Sequence, residues 1–190
     1  MRCLSCHRLS FSTFCKRCKE ELLKPSISKR DIDGLEVYSF YKYHNIEDFL
    51  LTKHTPLGFR VYGELAKITL KPFIREFIKN SSKPIYIVGV DESVKSGYSH
   101  VALLTHQMRY KGVKVLHNSL IAQNRVNYSG KSLEFRLENP REFIYKGRED
   151  IDIILVDDII TTGITLKEAK RVLNISGVNT LFALTLATLV

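Results

Sequence analysis

The chain has 190 residues and a mass of 21.9 kDa, room for one ordinary domain and a small module but not for two full enzymes. Hydrophobic residues make up 44%, which supports a packed core and argues against wholesale disorder. The formal charge of +9 is uneven: residues 1–30 hold eight Lys or Arg against two Glu, a concentration that either attracts phosphate polyanions such as nucleic acid or simply solvates a surface. No window approaches 18 uninterrupted apolar residues, and Leu181–Val190 is broken by Thr185 and Thr188. Met1-Arg-Cys-Leu-Ser-Cys lacks the apolar run of a signal peptide. These features lead us to expect a cytoplasmic protein with no direct membrane insertion.

All four cysteines fall in the first 18 residues, as Cys3-x2-Cys6, eight residues, then Cys15-x2-Cys18. Two residues between cysteines let a tight turn aim both sulfurs at one point, and two such turns complete the tetrahedron that zinc prefers. An iron–sulfur centre or a metal-free state is the alternative, and a reducing compartment argues against disulfides. Four thiolates close the coordination sphere, so such a zinc is structural, and it would supply folding free energy that so short a segment lacks. His7 is a spare donor. Arg2, Arg8, Lys16, Arg17 and Lys19 interleave with Phe11 and Phe14, a mixture suited to phosphate contact and base stacking. The competing role for the two phenylalanines is a small ribbon core.

Further along, Lys24–Asp33 has no apolar periodicity and reads as a linker. Leu35, Val37, Ser39 and Tyr41 alternate as in a strand. Residues 46–53 suit a short helix capped by Asn45, and 59–78 a longer one that Pro72 must kink or end. Ile85–Val90 is a continuous apolar run typical of a buried parallel strand. A helix over 99–110 and a strand over 113–116 follow. Residues 123–150 suggest a long loop or flap with short strands. A buried strand at 151–156, a helix at 165–176 stopped by Gly177, and a strand at 180–189 complete the chain. Strands alternating with helices imply an α/β fold with a mostly parallel sheet flanked by helices. The expected division is a zinc ribbon over 1–22, a linker with a strand and helix hood over 23–80, and a core over 81–190.

The most informative stretch is Ile153-Ile-Leu-Val-Asp-Asp-Ile-Ile-Thr-Thr-Gly-Ile-Thr165. A buried strand delivers Asp157 and Asp158 at the end where ligands bind in open α/β sheets. Thr161, Thr162, Gly163 and Thr165 then lead into a helix, so backbone N–H groups and hydroxyls collect at a helix N-terminus, a receptor for a phosphate dianion. Gly163 lets the backbone approach a ligand without a Cβ. Carboxylates repel phosphate, so the two acids should face sugar hydroxyls or Mg2+.

This stretch resembles the 13-residue motif of type I phosphoribosyltransferases, which bind 5-phosphoribosyl-1-pyrophosphate (PRPP), and it conforms at every position: four apolar residues, two acids, two apolar residues, Thr-Thr-Gly, any residue, Thr. The resemblance implies that Asp157 and Asp158 hold the ribose 2′- and 3′-hydroxyls and that Thr161, Thr162, Gly163 and Thr165 hold the 5′-phosphate, with Mg2+ accompanying PRPP. Joined to a four-cysteine ribbon, the chain resembles the ComF (ComFC) family of competence proteins. Leu51-x-Lys53 with Gly58, and Arg136-x-x-Asn139, echo further segments of that family. That resemblance implies a role in natural transformation, handling single-stranded DNA on the cytoplasmic side beside a DNA-translocating helicase.

The chain departs from the family at Val88-Gly-Val-Asp91, where a Pro-rich turn is usual, and at Lys95-Ser-Gly-Tyr-Ser-His100. In phosphoribosyltransferases the first of these turns helps bind pyrophosphate and Mg2+. Ribose 5-phosphate recognition is therefore implied, and turnover is not. Lys95 is a candidate for pyrophosphate charge, and Arg125, Lys131 and Arg136 for DNA contact from the flap. Three functions stay open at this point: a PRPP-binding competence factor that handles single-stranded DNA, an active phosphoribosyltransferase with an unidentified acceptor, and a PRPP sensor that regulates another protein. The catalytic residues are unknown.

Overall fold

The computed structural model describes residues 1–90, 97–124, 126, 128 and 130–189. Six strands form one sheet in the order β1-β2-β8-β7-β3-β4, from β1 (Ser28–Ile32), β2 (Leu35–Lys42), β3 (Ile85–Gly89), β4 (Val113–Leu116), β7 (Asp152–Ile160) and β8 (Asn179–Thr188). Only β1 runs antiparallel, against β2; the other neighbours are parallel. A separate hairpin pairs β5 (Leu120–Ala122) with β6 (Phe143–Tyr145). The helices are α1 (Lys16–Glu21), α2 (Tyr43–Leu50), α3 (Pro56–Ile68), α4 (Leu70–Phe77), α5 (His100–His106), α6 (Leu133–Glu138) and α7 (Ile164–Ile175). The mostly parallel α/β sheet expected from the sequence is present. Among the described residues no helix is long and apolar enough to cross a membrane.

Two apolar layers sandwich the sheet. On one face Ile87, Ile154, Val156 and Leu184 meet Val61, Tyr62 and Leu65 of α3, Ile74 of α4 and Leu104 of α5. On the other, Val88, Ile153, Leu155 and Ala183 meet Leu166, Ala169 and Leu173 of α7, with Leu120 and Phe143 from the small hairpin. Burial on both faces explains why β3 and β7 read as unbroken apolar runs.

Several local expectations change. Residues 24–33 are no simple linker: β1 forms the sheet edge, turning into β2 at Asp33 (φ 49°) and Gly34 (φ 73°). Its charged residues Lys29 and Asp31 alternate outward, so an edge strand carries too few apolar residues for periodicity to reveal it; the Asp-Gly pair was the available signal. Helix α2 starts at Tyr43 with Lys42, not Asn45, in the capping position, and Ile46 is kinked. The long helix breaks at Thr69 (φ −116°, ψ −80°) rather than at Pro72. Proline lacks the N–H that would bond back to Ile68, and it sits instead in the first turn of α4, where that donor is not needed. Strand β7 runs on past Val156 through both acids to Ile160 because β8 pairs with it as far as Thr188.

Candidate functional site

At the N-terminus the Sγ atoms of Cys3, Cys6, Cys15 and Cys18 all lie within 4.8 Å of one another. The Cys6–Cys15 sulfurs are 3.6 Å apart, close to the ~3.8 Å edge of a tetrahedron with zinc–sulfur bonds near 2.3 Å. The donor set could therefore hold a metal such as zinc. Burial opposes ionisation of Cys3, but N–H groups of Cys6, Cys15 and Ser5 outweigh it and bring the thiol down to about 6; the Cys15 N–H lies 3.3 Å from that sulfur. Burial pushes Cys18 up to about 12, a cost that a cation at the centre would relieve.

The two ribbon phenylalanines part company. Phe14 is fully buried in the main core and packs edge-on against Phe49 at 4.8 Å, so it fastens the ribbon to α2. Phe11 is fully exposed. Among the basic residues, Arg17 pairs with Glu21 at 2.8 Å and Lys16 with Glu20 at 3.9 Å, both within α1. Lys19 reaches Glu64 of α3 at 2.8 Å and is thus a tether between ribbon and core. Arg2 and Arg8 are exposed and have no ion pair among the described residues.

The second constellation lies where β7 ends. Regular alternation would place Ile160 with Ile154 and Val156; instead Ile159 packs with that layer and Ile160 with the opposite one. The N–H of Asp158 donates to the Asp157 carboxylate at 2.8 Å. Both acids are more than nine-tenths buried. Asp158 Oδ2 lies 3.2 Å from Nε2 of His100 and 3.3 Å from Nζ of Lys53. Burial alone would raise its pKa, but the His100 hydrogen bond and charge, joined by Lys53, hold the carboxyl well below the usual carboxylate range. Asp158 thus finds donors in the protein itself, without a sugar diol.

Neither Lys53 nor His100 was singled out from the sequence as an acid partner. Lys53 sits on a 3-10 turn, Leu51–His54, held by the Tyr98 hydroxyl, whose single proton is shared between the carbonyls of Lys53 at 2.7 Å and Thr55 at 2.9 Å. Gly58 makes that seat possible: a Cβ there would stand 2.2 Å from the Thr52 carbonyl oxygen and 2.3 Å from the Tyr98 hydroxyl. The Leu51-x-Lys53 and Gly58 pattern is therefore the local signal for Lys53. His100 opens α5, capped by Ser99, whose hydroxyl accepts from the Ala102 N–H at 3.1 Å, and its ring meets Tyr62 edge-on at 5.4 Å.

Thr161, Thr162 and Gly163 form the bend into α7, and Thr165 lies in the first turn. No side chain caps this helix, and Gly163 takes the capping position at φ 84°. Its glycine character answers to the protein: a Cβ would meet Ile32 of β1 at 3.0 Å. Two arginines end on Thr161. Arg30 of β1 donates to its carbonyl at 3.0 Å and to the Thr188 hydroxyl at 3.3 Å, and Arg136 of α6 donates to its hydroxyl at 2.5 Å. Asp157, Asp158, Thr161, Thr162, Gly163 and Thr165 thus follow one another along the last part of β7 and into α7, with Lys53 and His100 on Asp158 and Arg30 and Arg136 on Thr161. Asp91, Lys95 and Arg125 lie outside the described residues.

No protein-family model and no curated protein sequence matches the chain. Solved phosphoribosyltransferase structures do. A hypoxanthine phosphoribosyltransferase from Staphylococcus aureus matches with 20% identity and a TM-score of 0.42, over 66% of this chain and 64% of that one, which is less than two thirds of its length. An adenine phosphoribosyltransferase from Saccharomyces cerevisiae matches with 15% identity, over 90% of this chain and 89% of that chain, at a TM-score of 0.43. An orotate phosphoribosyltransferase from Mycobacterium tuberculosis matches with 13% identity, over 90% and 82%, at 0.40.

Proposed function

We propose that the chain is a PRPP-binding competence factor that handles incoming single-stranded DNA on the cytoplasmic side, with residues 1–22 as a zinc ribbon, 23–80 as a hood and 81–190 as the ligand-binding core. The observation that carries the PRPP reading is the junction of β7 and α7. An uncapped helix N-terminus with three threonines adjoins a pair of buried acids at the carboxyl end of parallel strands. A helix N-terminus attracts a phosphate, and the acids suit the hydroxyl edge of the sugar. Asp157 takes the hydroxyl edge directly, while Asp158, held ionised by His100 and Lys53, fixes the electrostatics around it. Mg2+ bound with PRPP would neutralise charge on the pyrophosphate.

The DNA reading is supported by the exposed ribbon surface. Phe11 offers a π-face for a base, and Arg2 and Arg8 offer unpaired charge for the backbone. A helicase partner belongs to the same proposal. Titrating Mg-PRPP into wild type and into Asp157→Ala/Asp158→Ala tests the first reading; the expected result is saturable binding by wild type only. For the second, a labelled oligonucleotide should lose affinity on Phe11→Ala with Arg2→Gln and Arg8→Gln. Unchanged anisotropy curves for that triple variant would remove the ribbon from DNA handling.

A further inference from the structure

Arg30 and Arg136 stand 106 positions apart in the chain, on β1 and α6, yet both guanidinium groups terminate on Thr161. Neither has a carboxylate partner among the described residues, and the buried Nε of Arg136 has no acceptor there. The nearby Glu168 carboxylate is taken up by the backbone N–H groups of Arg141 at 3.0 Å and Glu142 at 2.7 Å. Two like charges therefore meet at the positive end of the 12-residue helix α7. Charges so placed oppose one another and the helix dipole, and an anion between them would relieve that opposition.

We propose that Arg30 and Arg136 are the two jaws of a guanidinium clamp on the phosphate of a sugar phosphate bound at residues 161–165, and that they set selectivity for the doubly charged phosphate. This inference rests on the sugar-phosphate reading of the same loop. Planar forks suit phosphate oxygens, and the Arg136 Nε–H gains there the acceptor it lacks. Arg136 also ties the ligand to the segment that carries it. Its Nη2 donates to the Tyr128 carbonyl at 3.0 Å, and the Tyr128 ring lies under both Arg136 and Arg141, 5.5 and 4.3 Å from their guanidinium carbons. The Tyr128 hydroxyl donates to the Asn139 carbonyl at 2.6 Å. Drawing Arg136 onto a phosphate would therefore pull on Tyr128 and on α6.

Calorimetric titration of the full chain with ribose 5-phosphate, at several salt concentrations, tests the clamp. Arg30→Gln and Arg136→Gln should each weaken binding by roughly tenfold or more, the scale of one charge-assisted hydrogen bond. Arg136→Lys should restore only part, since a point charge replaces the fork. Both Gln variants should show a shallower salt dependence and an unliganded melting temperature equal to or above that of wild type, which a merely structural arginine would not give. Wild-type affinity in both Gln variants would overturn the clamp and leave the sugar-phosphate reading standing. Absence of binding by wild type would overturn both.

Discussion

The imidazole Nε2 of His100 lies 3.2 Å from Oδ2 of Asp158, and both side chains are buried. One is the first residue of α5 and the other lies 58 positions later in β7, so only the folded sheet brings them together. The folded carboxyl ionises well below its unfolded value of about 3.9. Its stabilising contribution is therefore present above that value and is lost as pH falls below it. His100→Ala should cost about 3 kcal/mol at neutral pH, since it leaves a buried carboxylate with Lys53 as its one remaining cation, and should move acid unfolding to higher pH. Circular dichroism against pH and urea checks this; an acid midpoint equal to that of wild type would show that Asp158 does not depend on the imidazole.

The ribbon offers a paired test. Phe14→Ala should destabilise the whole chain by about 3–5 kcal/mol, because the ring is fully buried in the common core. Phe11→Ala should stay within about 0.5 kcal/mol, as a fully exposed ring contributes no packing. Urea unfolding of the two variants separates a ribbon packed on the core from one that hangs free; equal effects would contradict the packing described.

Metal removal should act on the same coupling. A chelator that strips the four-cysteine site should lower the melting temperature, because Cys18 would again be a buried thiol without a cation and Phe14 would lose its scaffold. Elemental analysis before and after, with calorimetry, checks it. An unchanged melt after proven loss of metal would mean the ribbon folds without it.

Gly58→Ala should displace the turn that carries Lys53, since the new methyl meets the Thr52 carbonyl oxygen at 2.2 Å. A loss of about 1–3 kcal/mol is expected from the overpacking, together with weaker ligand binding because the Lys53 ammonium leaves Asp158. Normal stability and binding would place Lys53 outside the site's support.

The sequence revealed those features whose cause is local. Buried β3 and β7 announce themselves as apolar runs, α7 by its inward stripe and the Gly177 stop, and the acid pair and threonine loop by spacing alone. It concealed β1, where Lys29 and Asp31 face outward and Ile32 is a lone apolar contact, and it concealed the extension of β7, which depends on β8 pairing as far as Thr188. The partners of Asp158 and Thr161 were hidden for a related reason. Lys53, His100, Arg30 and Arg136 reach Asp158 and Thr161 from four separate elements, and no periodicity within any one of them records that meeting. Phe11 and Phe14, alike in sequence, part because the core, Phe49 of α2 included, packs against one of them.

The most direct measurement is a calorimetric titration of Mg-PRPP into the metal-replete chain and into its Asp157→Ala/Asp158→Ala variant. One saturable site in wild type, with a raised melting temperature, and no heat in the variant, is the result expected if the β7–α7 junction grips a phosphorylated sugar. A wild-type chain that gives no heat, or a double variant that binds as tightly as wild type, would contradict it.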